Sequence, residues 1–344
     1  MNERADKLAG SLASEGPAAE ACAAARQRLS QVRNILRQNY VGRDGAIDAI
    51  VYGVVADQPL LFVGPPGTGK SHLITSFCEL IGVGTEAGGG EQSTLFQYLL
   101  SEFTVPEELF GYPDLRRFEA EGVYVREDKE MIQNATVVFL DEVFNASSAL
   151  LNSMLALLNE RCYFDRGRRR RACYRIFLGA TQEPPVRPEL MALYDRFTLR
   201  IATDLIADHH QLDLLRMGLA HRMRRLTPLC SLQDLDLLNQ VVRQRLRELH
   251  LQLSGERPAT EGPQRFLRTL RHLRSVGMPI SDRKMVQLCI TLLARAVVED
   301  DPDPFSAEGL LLLRFALHDP ADEVVLEALE QAITSTSHAR EMLQ

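Results

Sequence analysis

No stretch of the sequence is apolar for long enough to span a bilayer. The first residues, Met1-Asn2-Glu3-Arg4-Ala5-Asp6, carry charge where a signal peptide builds its apolar region. Both absences predict a soluble, cytoplasmic protein. An excess of positive charge is missing too: 39 Lys and Arg against 46 Asp and Glu leave −7, and the pI is about 5.7. That argues against a generally basic nucleic-acid surface and leaves room only for a local patch. The six cysteines (Cys22, Cys78, Cys162, Cys173, Cys230, Cys289) contain no C-x-x-C pair and no histidine at a zinc spacing. They read as reduced thiols, most of them core filler. What the chain does have is size: 344 residues, 45% of them hydrophobic, are enough for more than one packed unit.

The most informative stretch is Gly64-Pro65-Pro66-Gly67-Thr68-Gly69-Lys70-Ser71, preceded by the apolar run Leu60-Leu61-Phe62-Val63 and followed by a helix-like segment that opens with His72. In the pattern G-x-x-x-x-G-K-[ST] the glycines let the backbone wrap a phosphate, so that successive N–H groups and a helix N-terminus point at its oxygens. Lys70 would reach the β- and γ-phosphates of ATP, or the β-phosphate of ADP, and the Ser71 hydroxyl would sit on Mg²⁺. The second anchor is Thr136-Val137-Val138-Phe139-Leu140-Asp141-Glu142, a continuous apolar run ending in two acids. Such runs are buried parallel strands, and ligands bind beyond their carboxyl ends. Asp141 is therefore expected at the metal and Glu142 at the attacking water. A third strand, Ile176-Phe177-Leu178-Gly179-Ala180, ends at Thr181-Gln182, whose amide suits the same water or the γ-phosphate.

Around these anchors the chain divides into a polar arm over 1–17, an α/β core over 18–202, a helical lid over 203–299 and a helical tail over 300–344. A helix is expected over 18–38, then Tyr40-Val41-Gly42-Arg43-Asp44, then a second apolar-faced helix through Ile47, Ile50, Val51 and Val54 to the phosphate-loop strand. Val41 and Gly42 would cradle an adenine, although a plain helix cap at Asp44 accounts for the segment equally well. Residues 82–90 read as a loop, and 94–100 fit a strand as well as a helix start. A capped turn with Pro106 in its first position comes next, then an exposed charged stretch over 114–129. A leucine-rich helix over 145–161 precedes a hairpin over 162–175 whose tip is Arg166-Gly167-Arg168-Arg169-Arg170-Arg171. That tip reads either as a solvated turn or as a finger that touches an acidic polymer. Beyond 204 the segments 231–251, 264–276 and 281–298 each present one apolar stripe, and two more helices are expected over 306–318 and 321–334. His209-His210 reads as a solvent-facing pair and not a metal site, since neighbouring residues on a helix face different ways.

Taken together, the loop at 64–71, Leu140-Asp141-Glu142, Asn159-Glu160-Arg161, Thr181-Gln182 and Tyr194-Asp195-Arg196-Phe197 resemble an AAA+ ATPase of the MoxR family. The segments Phe103-Thr104-Val105-Pro106-Glu107-Glu108-Leu109-Phe110-Gly111 and 151–161 look most like the RavA branch. The resemblance implies an α/β P-loop NTPase core with a parallel sheet, an all-α lid and further C-terminal helices. It makes Lys70 and Ser71 Walker A, Asp141 and Glu142 Walker B, Gln182 sensor 1, Arg196 the arginine finger and Arg283 sensor 2, in a helix that Ser281 would cap. Sensor 1 is usually asparagine; here the amide is one methylene further out, which implies slow hydrolysis. It further implies a hexameric ring, with the 104–129 stretch and the hairpin lining its pore side. The implied partner is a protein with a von Willebrand A domain, although the inserted domain usual in RavA-like chains has no counterpart here. Two other readings stand beside this one: a nucleic-acid-stimulated motor or defence-system ATPase, favoured by the arginine tip, and a nucleotide-binding regulatory module with little turnover, favoured by Gln182.

Overall fold

A computed structural model of the chain describes residues 17–84, 94–122, 126–165, 168–222, 226–258 and 260–341. The arm over 1–16, most of the 82–90 loop and the hairpin tip at 166–167 lie outside the described residues.

In chain order the elements are α1 (Pro17–Asn39), α2 (Asp44–Ala56), β1 (Leu60–Val63), α3 (Lys70–Leu80), β2 (Leu95–Leu99), α4 (Pro106–Phe110), α5 (Leu115–Glu121), β3 (Val137–Asp141), α6 (Ser148–Glu160), β4 (Cys162–Asp165), β5 (Arg168–Arg171), β6 (Ile176–Thr181), α7 (Pro188–Tyr194) and β7 (Leu199–Ala202). A 3₁₀ turn (Asp208–His210) leads into α8 (Gln211–Arg222), α9 (Leu232–Leu253), α10 (Gly262–Ser275), α11 (Asp282–Val298) and α12 (Ala307–Leu310). A 3₁₀ stretch (Leu311–Ala316) and α13 (Glu323–Glu341) complete the described chain.

Five strands form a parallel sheet in the order β2-β3-β6-β1-β7. Their side chains alternate between its two faces, as the period-2 geometry of a strand requires. Leu60, Phe62, Val137, Phe139 and Leu178 join the apolar cluster of α1, α2 and α3. Leu61, Val63, Val138, Leu140 and Phe177 join that of α6 and α7. The chain is thus an α/β P-loop NTPase core with a helical lid. The segment 94–100 is resolved as an edge strand, paired with β3 from Leu95↔Val137 to Leu99↔Asp141. The antiparallel hairpin pairs Cys162 with Arg171 and Asp165 with Arg168, and all four residues of β5 are exposed.

Lid helices α9–α11 and α13 do not form a separate core. Their buried residues Leu238, Leu270, Leu292 and Leu329 are continuous with Leu29, Ile50 and Val54 of α1 and α2. The lid therefore packs on the α1/α2 face of the sheet.

Several local expectations are corrected. Asp44 does not cap α2: the capping position is Arg43, which makes no side-chain cap, and Asp44 is the first helical residue. The helix expected from 145 begins at Ser148, after Ser147 caps the N–H of Leu150. The expected 306–318 helix is one α turn followed by 3₁₀, and His209 and His210 lie in a 3₁₀ turn with ring centroids 4.1 Å apart. Both histidines are exposed, and no metal-holding cluster occurs among the described residues. Ser281 does cap α11, accepting from the N–H of Lys284 at 3.2 Å. All six cysteines are free thiols.

Candidate nucleotide site and the separate arginine pole

The loop 64–69 leaves β1 at its carboxyl end, between β6 and β7. Gly64 adopts φ +153° and packs so closely on Thr203 that a Cβ would lie 2.5 Å from its carbonyl oxygen. At Gly67 and Gly69, both with positive φ, a Cβ would meet nothing within 4 Å. Side chains there would project into an open hollow and fill the cradle, so glycine keeps the backbone N–H groups accessible. Gly69 also precedes α3 without any side-chain cap, leaving the helix's first N–H groups for an anion. Lys70, buried, bends back to donate to the carbonyl oxygens of Gly64 (2.6 Å) and Pro65 (2.9 Å). Burial pulls its pKa down, and Asp141 and Glu142 oppose that by favouring the charged form. The ammonium is thereby held at the loop, one side chain away from the two acids.

Those acids arrive from β3. Ser71 Oγ stands 3.5 Å from Asp141 Oδ2, and this hydroxyl and carboxylate are the hard oxygen donors that Mg²⁺ prefers. Glu142 has φ +54°, the left-handed region that a non-glycine residue occupies at a cost of about 1–3 kcal/mol. Its carboxylate is clamped on both oxygens, accepting from Gln182 Nε2 at 2.8 Å and from Asn145 Nδ2 at 3.2 Å. The strained turn and two amides fix Glu142 at the mouth of the sheet. Gln182 reaches it despite the extra methylene.

Beside the loop is a cavity of about 210 Å³ lined by Val41, His72, Leu205, Ile206 and Leu214. Its apolar walls and position next to Gly67–Gly69 suit a purine base. Gly42 does not line it; its positive φ turns the chain so that a Cβ would meet Ile206 Cδ1 at 3.2 Å. His72 is held through Nδ1, 2.7 Å from the Tyr40 hydroxyl. Arg43 ties the site together, donating to the carbonyls of Thr68 (3.1 Å) and Asp204 (2.6 Å), and burial lowers its pKa. Neither Arg43 nor Asn145 is found by reading motifs. The buried Arg43 has no periodic signature, and Asn145 shows only as an amide three residues beyond Glu142.

Arg196 and Arg283 are not in this group. Arg196 lies between α7 and β7, whose first residue pairs with Leu60 at the start of β1, and Thr198 donates to Gln58 Oε1 at 2.8 Å. Arg283 donates to Asn159 Oδ1 at 2.7 Å. It lines a polar cleft of about 380 Å³ with Asp57, Arg161, Arg175 and Arg243. Asp57 precedes β1, whereas Gly64 follows it. Four strand residues at about 3.3 Å each therefore separate the arginines' end of the sheet from the phosphate loop by roughly 13 Å. The pKa of Arg283 is lowered by burial and then by Arg196, which places the two guanidinium groups in one field. Among the described residues, the buried Nε of Arg196 has no hydrogen-bond partner. Asp195 is not its salt-bridge mate and instead accepts from Ser281 Oγ at 3.0 Å. A larger cavity, about 690 Å³, lies in the lid near Arg265 and Phe305 and touches none of these residues.

A phosphate loop after the strand between β6 and β7, an Asp-Glu strand end with an amide beside it and a helical lid define a P-loop NTPase fold of the AAA+ class. Residues 27–240 match the profile of the MoxR domain in the MoxR-vWA-beta-propeller ternary systems. The chain belongs to this MoxR family. Two uncharacterised proteins of Methanocaldococcus jannaschii are 32% and 31% identical over 172 and 173 residues, half of this chain and 43% of theirs. A structural protein of Acidianus two-tailed virus is 29% identical over 175 residues, half of this chain and 27% of its own. The chain thus matches less than half the length of these curated relatives. A solved structure from Cytophaga hutchinsonii, whose ATPase designation is provisional, aligns with 92% of this chain and 96% of its own. Its TM-score of 0.66 at 14% identity speaks for the fold alone.

Proposed function

We propose that the chain hydrolyses ATP with Mg²⁺ at interfaces between copies in a ring, hexameric by family resemblance, and uses the cycle to remodel a partner protein. One observation carries this reading: Asp141, Glu142 and the phosphate loop sit at the carboxyl ends of the strands, while Arg196 and Arg283 sit at the amino ends. One copy can hold a triphosphate, but its own arginines do not reach it. In this reading the loop N–H groups and Lys70 bind the phosphates. Ser71 and Asp141 would hold Mg²⁺, which when bound supplies positive charge to the phosphate oxygens. Glu142, held by Gln182 and Asn145, orients a water and accepts its proton, while Arg196 and Arg283 of the next copy neutralise charge developing on the transferred group.

The partner proposed is a protein with a von Willebrand A domain, supported by the family description, which names such ternary systems. A cytoplasmic location accords with six free thiols, and a division into core (18–202), lid (203–299) and tail (300–344) with the sheet ending at Ala202. The RavA-like character of 103–111 and 151–161 remains part of the proposal. The test is to mix Arg196→Ala subunits with Glu142→Gln subunits and measure phosphate release; partial recovery is expected, and none at any ratio would refute action in trans.

The exposed arginines of β5 favour a second reading, a nucleic-acid-stimulated motor. Two of the four, Arg169 and Arg170, already pair with Glu160 and Asp165, which weakens it. The held geometry of Glu142 speaks against a module that binds nucleotide without turnover.

A further inference from the structure

Arg196 stands on a short turn between α7 and β7. The N–H of Phe197 donates back across it to the Tyr194 carbonyl at 3.2 Å, and Phe197 and Tyr194, 0% and 1% exposed, anchor both its ends in the core. There is no slack around them: a Cβ on Gly179 would lie 2.9 Å from the Phe197 ring. The buried Nε of Arg196 has no hydrogen-bond partner among the described residues, so the turn beneath it decides where the guanidinium stands.

Arg200, two residues into β7, grips that turn. Its Nη2 donates to the same Tyr194 carbonyl at 2.9 Å, and its guanidinium carbon lies 3.8 Å from the centre of the Tyr194 ring. The other arm of the fork reaches the tail, where Nη1 donates to the Leu317 carbonyl at 3.1 Å, between the second 3₁₀ stretch and α13. The Tyr194 hydroxyl donates to the next carbonyl, that of His318, and the two rings meet edge to face with centroids 5.1 Å apart. Two consecutive tail carbonyls are thus tied to one turn by side chains 117 and 124 residues away in sequence.

Packing alone does not call for an arginine here. Burial strips its hydration and pulls its pKa down, and apolar residues of like volume often replace buried ions with no loss of stability. What an apolar residue lacks is the planar fork, which holds two acceptors at a set spacing. We propose that Arg200 is a positioning residue for Arg196: with Tyr194 it binds the Arg196 turn to tail residues 317–318, so that the tail, and not the sheet alone, sets where that cation stands. This rests on the reading of Arg196 as a group used in hydrolysis. Whatever shifts the tail then shifts Arg196 and leaves the phosphate loop, at the other ends of the strands, in place.

A double-mutant cycle on the full chain tests this, read as kcat and KM for ATP and as affinity for fluorescent ADP. Arg200→Met should lower kcat about 10- to 100-fold, the loss that a displacement of about 1 Å brings, while ADP affinity stays within about 3-fold. Placed on Arg196→Ala, the same substitution should cost nothing further, because it acts only through Arg196. Losses that multiply, or wild-type turnover by a folded Arg200→Met chain, would overturn the proposal. Should Arg200→Met fail to fold, Tyr194→Phe removes only the hydroxyl bond to His318 and runs the same cycle; a loss of about 3-fold is expected, and no loss would overturn the proposal. The cycle gives the same answer whether Arg196 serves its own copy's nucleotide or a neighbour's, so failed Arg196/Glu142 complementation would refute action in trans and leave the positioning role standing. Wild-type turnover by Arg196→Ala would overturn both.

Discussion

If catalytic groups lie at two poles of each protomer, variants should complement one another by pole, and the size of the effect follows. A productive interface takes Glu142 from one copy and Arg196 from its neighbour. Mix a fraction x of Arg196→Ala with 1 − x of Glu142→Gln. The first kind supplies an intact Glu142 and the second an intact arginine, so the competent share is x(1 − x). At equal amounts, and with independent sites, that is about one quarter of wild-type activity, whereas each variant alone should fall about 10³-fold, roughly 4 kcal/mol of transition-state stabilisation. Single-turnover phosphate release suits the measurement, because it counts competent interfaces even when neighbouring sites must fire in sequence. The structure adds a control: Arg196 and Arg283 share a pole, so Arg283→Ala should also be rescued by Glu142→Gln but never by Arg196→Ala. Recovery in the double-arginine mixture, or its absence in both cross-pole mixtures, would refute the two-pole arrangement.

Three further outcomes are expected. Gly64→Ala forces a Cβ to within 2.5 Å of the Thr203 carbonyl, so a loss of about 1–3 kcal/mol on chemical denaturation, with weakened nucleotide binding, should follow; an unchanged midpoint would show that the loop yields freely. Lys284 is 1% exposed, its Nζ has no hydrogen-bond partner among the described residues, and burial, with Arg200 adding to it, pulls its pKa well below the ordinary 10.5. Below 10.5 the unfolded chain binds that proton more tightly than the fold does, so stability falls as pH drops through this window; Lys284→Met should therefore raise the melting temperature at neutral pH, by a margin that shrinks toward the ordinary lysine pKa, and a constant margin would contradict the burial argument. Replacing Arg168 to Arg171 with serine should leave basal ATP hydrolysis intact; if DNA or RNA stimulates the wild type and that stimulation is lost, the motor reading gains over protein remodelling.

The parts of the site that sequence reveals are those where local chemistry and tertiary position coincide. Leu60-Leu61-Phe62-Val63 and Val137-Val138-Phe139-Leu140 are apolar at every position because both faces of a parallel strand are covered, and Gly64 and Asp141, which follow them, mark their exits toward ligand. Segment 94–100 fits strand and helix alike because an edge strand half open to solvent keeps Gln97 and Tyr98 among apolar neighbours, blurring the pattern. Arg43 leaves no sign in the sequence because its partner, the Asp204 carbonyl, is 161 residues away, whereas Asn145 is only three residues beyond Glu142 but belongs to no motif.

The placement of Arg283 is not legible in the sequence for a different reason. An amphipathic stripe announces that a helix is covered without saying what covers it. Here the choice is made by polar pins between residues distant in sequence. Arg28 holds Asp234 through two nitrogens (3.0 and 2.5 Å), and this pairing lowers the pKa of the carboxyl. Arg33 and Tyr52 converge on Glu299, and buried Asn239 donates to the Val55 carbonyl at 2.8 Å. Leaving such a buried amide unpaired costs about 1–3 kcal/mol, so the pins discriminate among apolar packings that burial alone would rank alike. They seat the lid behind α1 and α2, and that position sends the start of α11 to the amino ends of the strands, beside Asn159 and away from the chain's own phosphate loop. A lid placed over the loop would have set Arg283 beside it; this one sets Arg283 in the cleft with Asp57 and Arg175, before β1 and not after it.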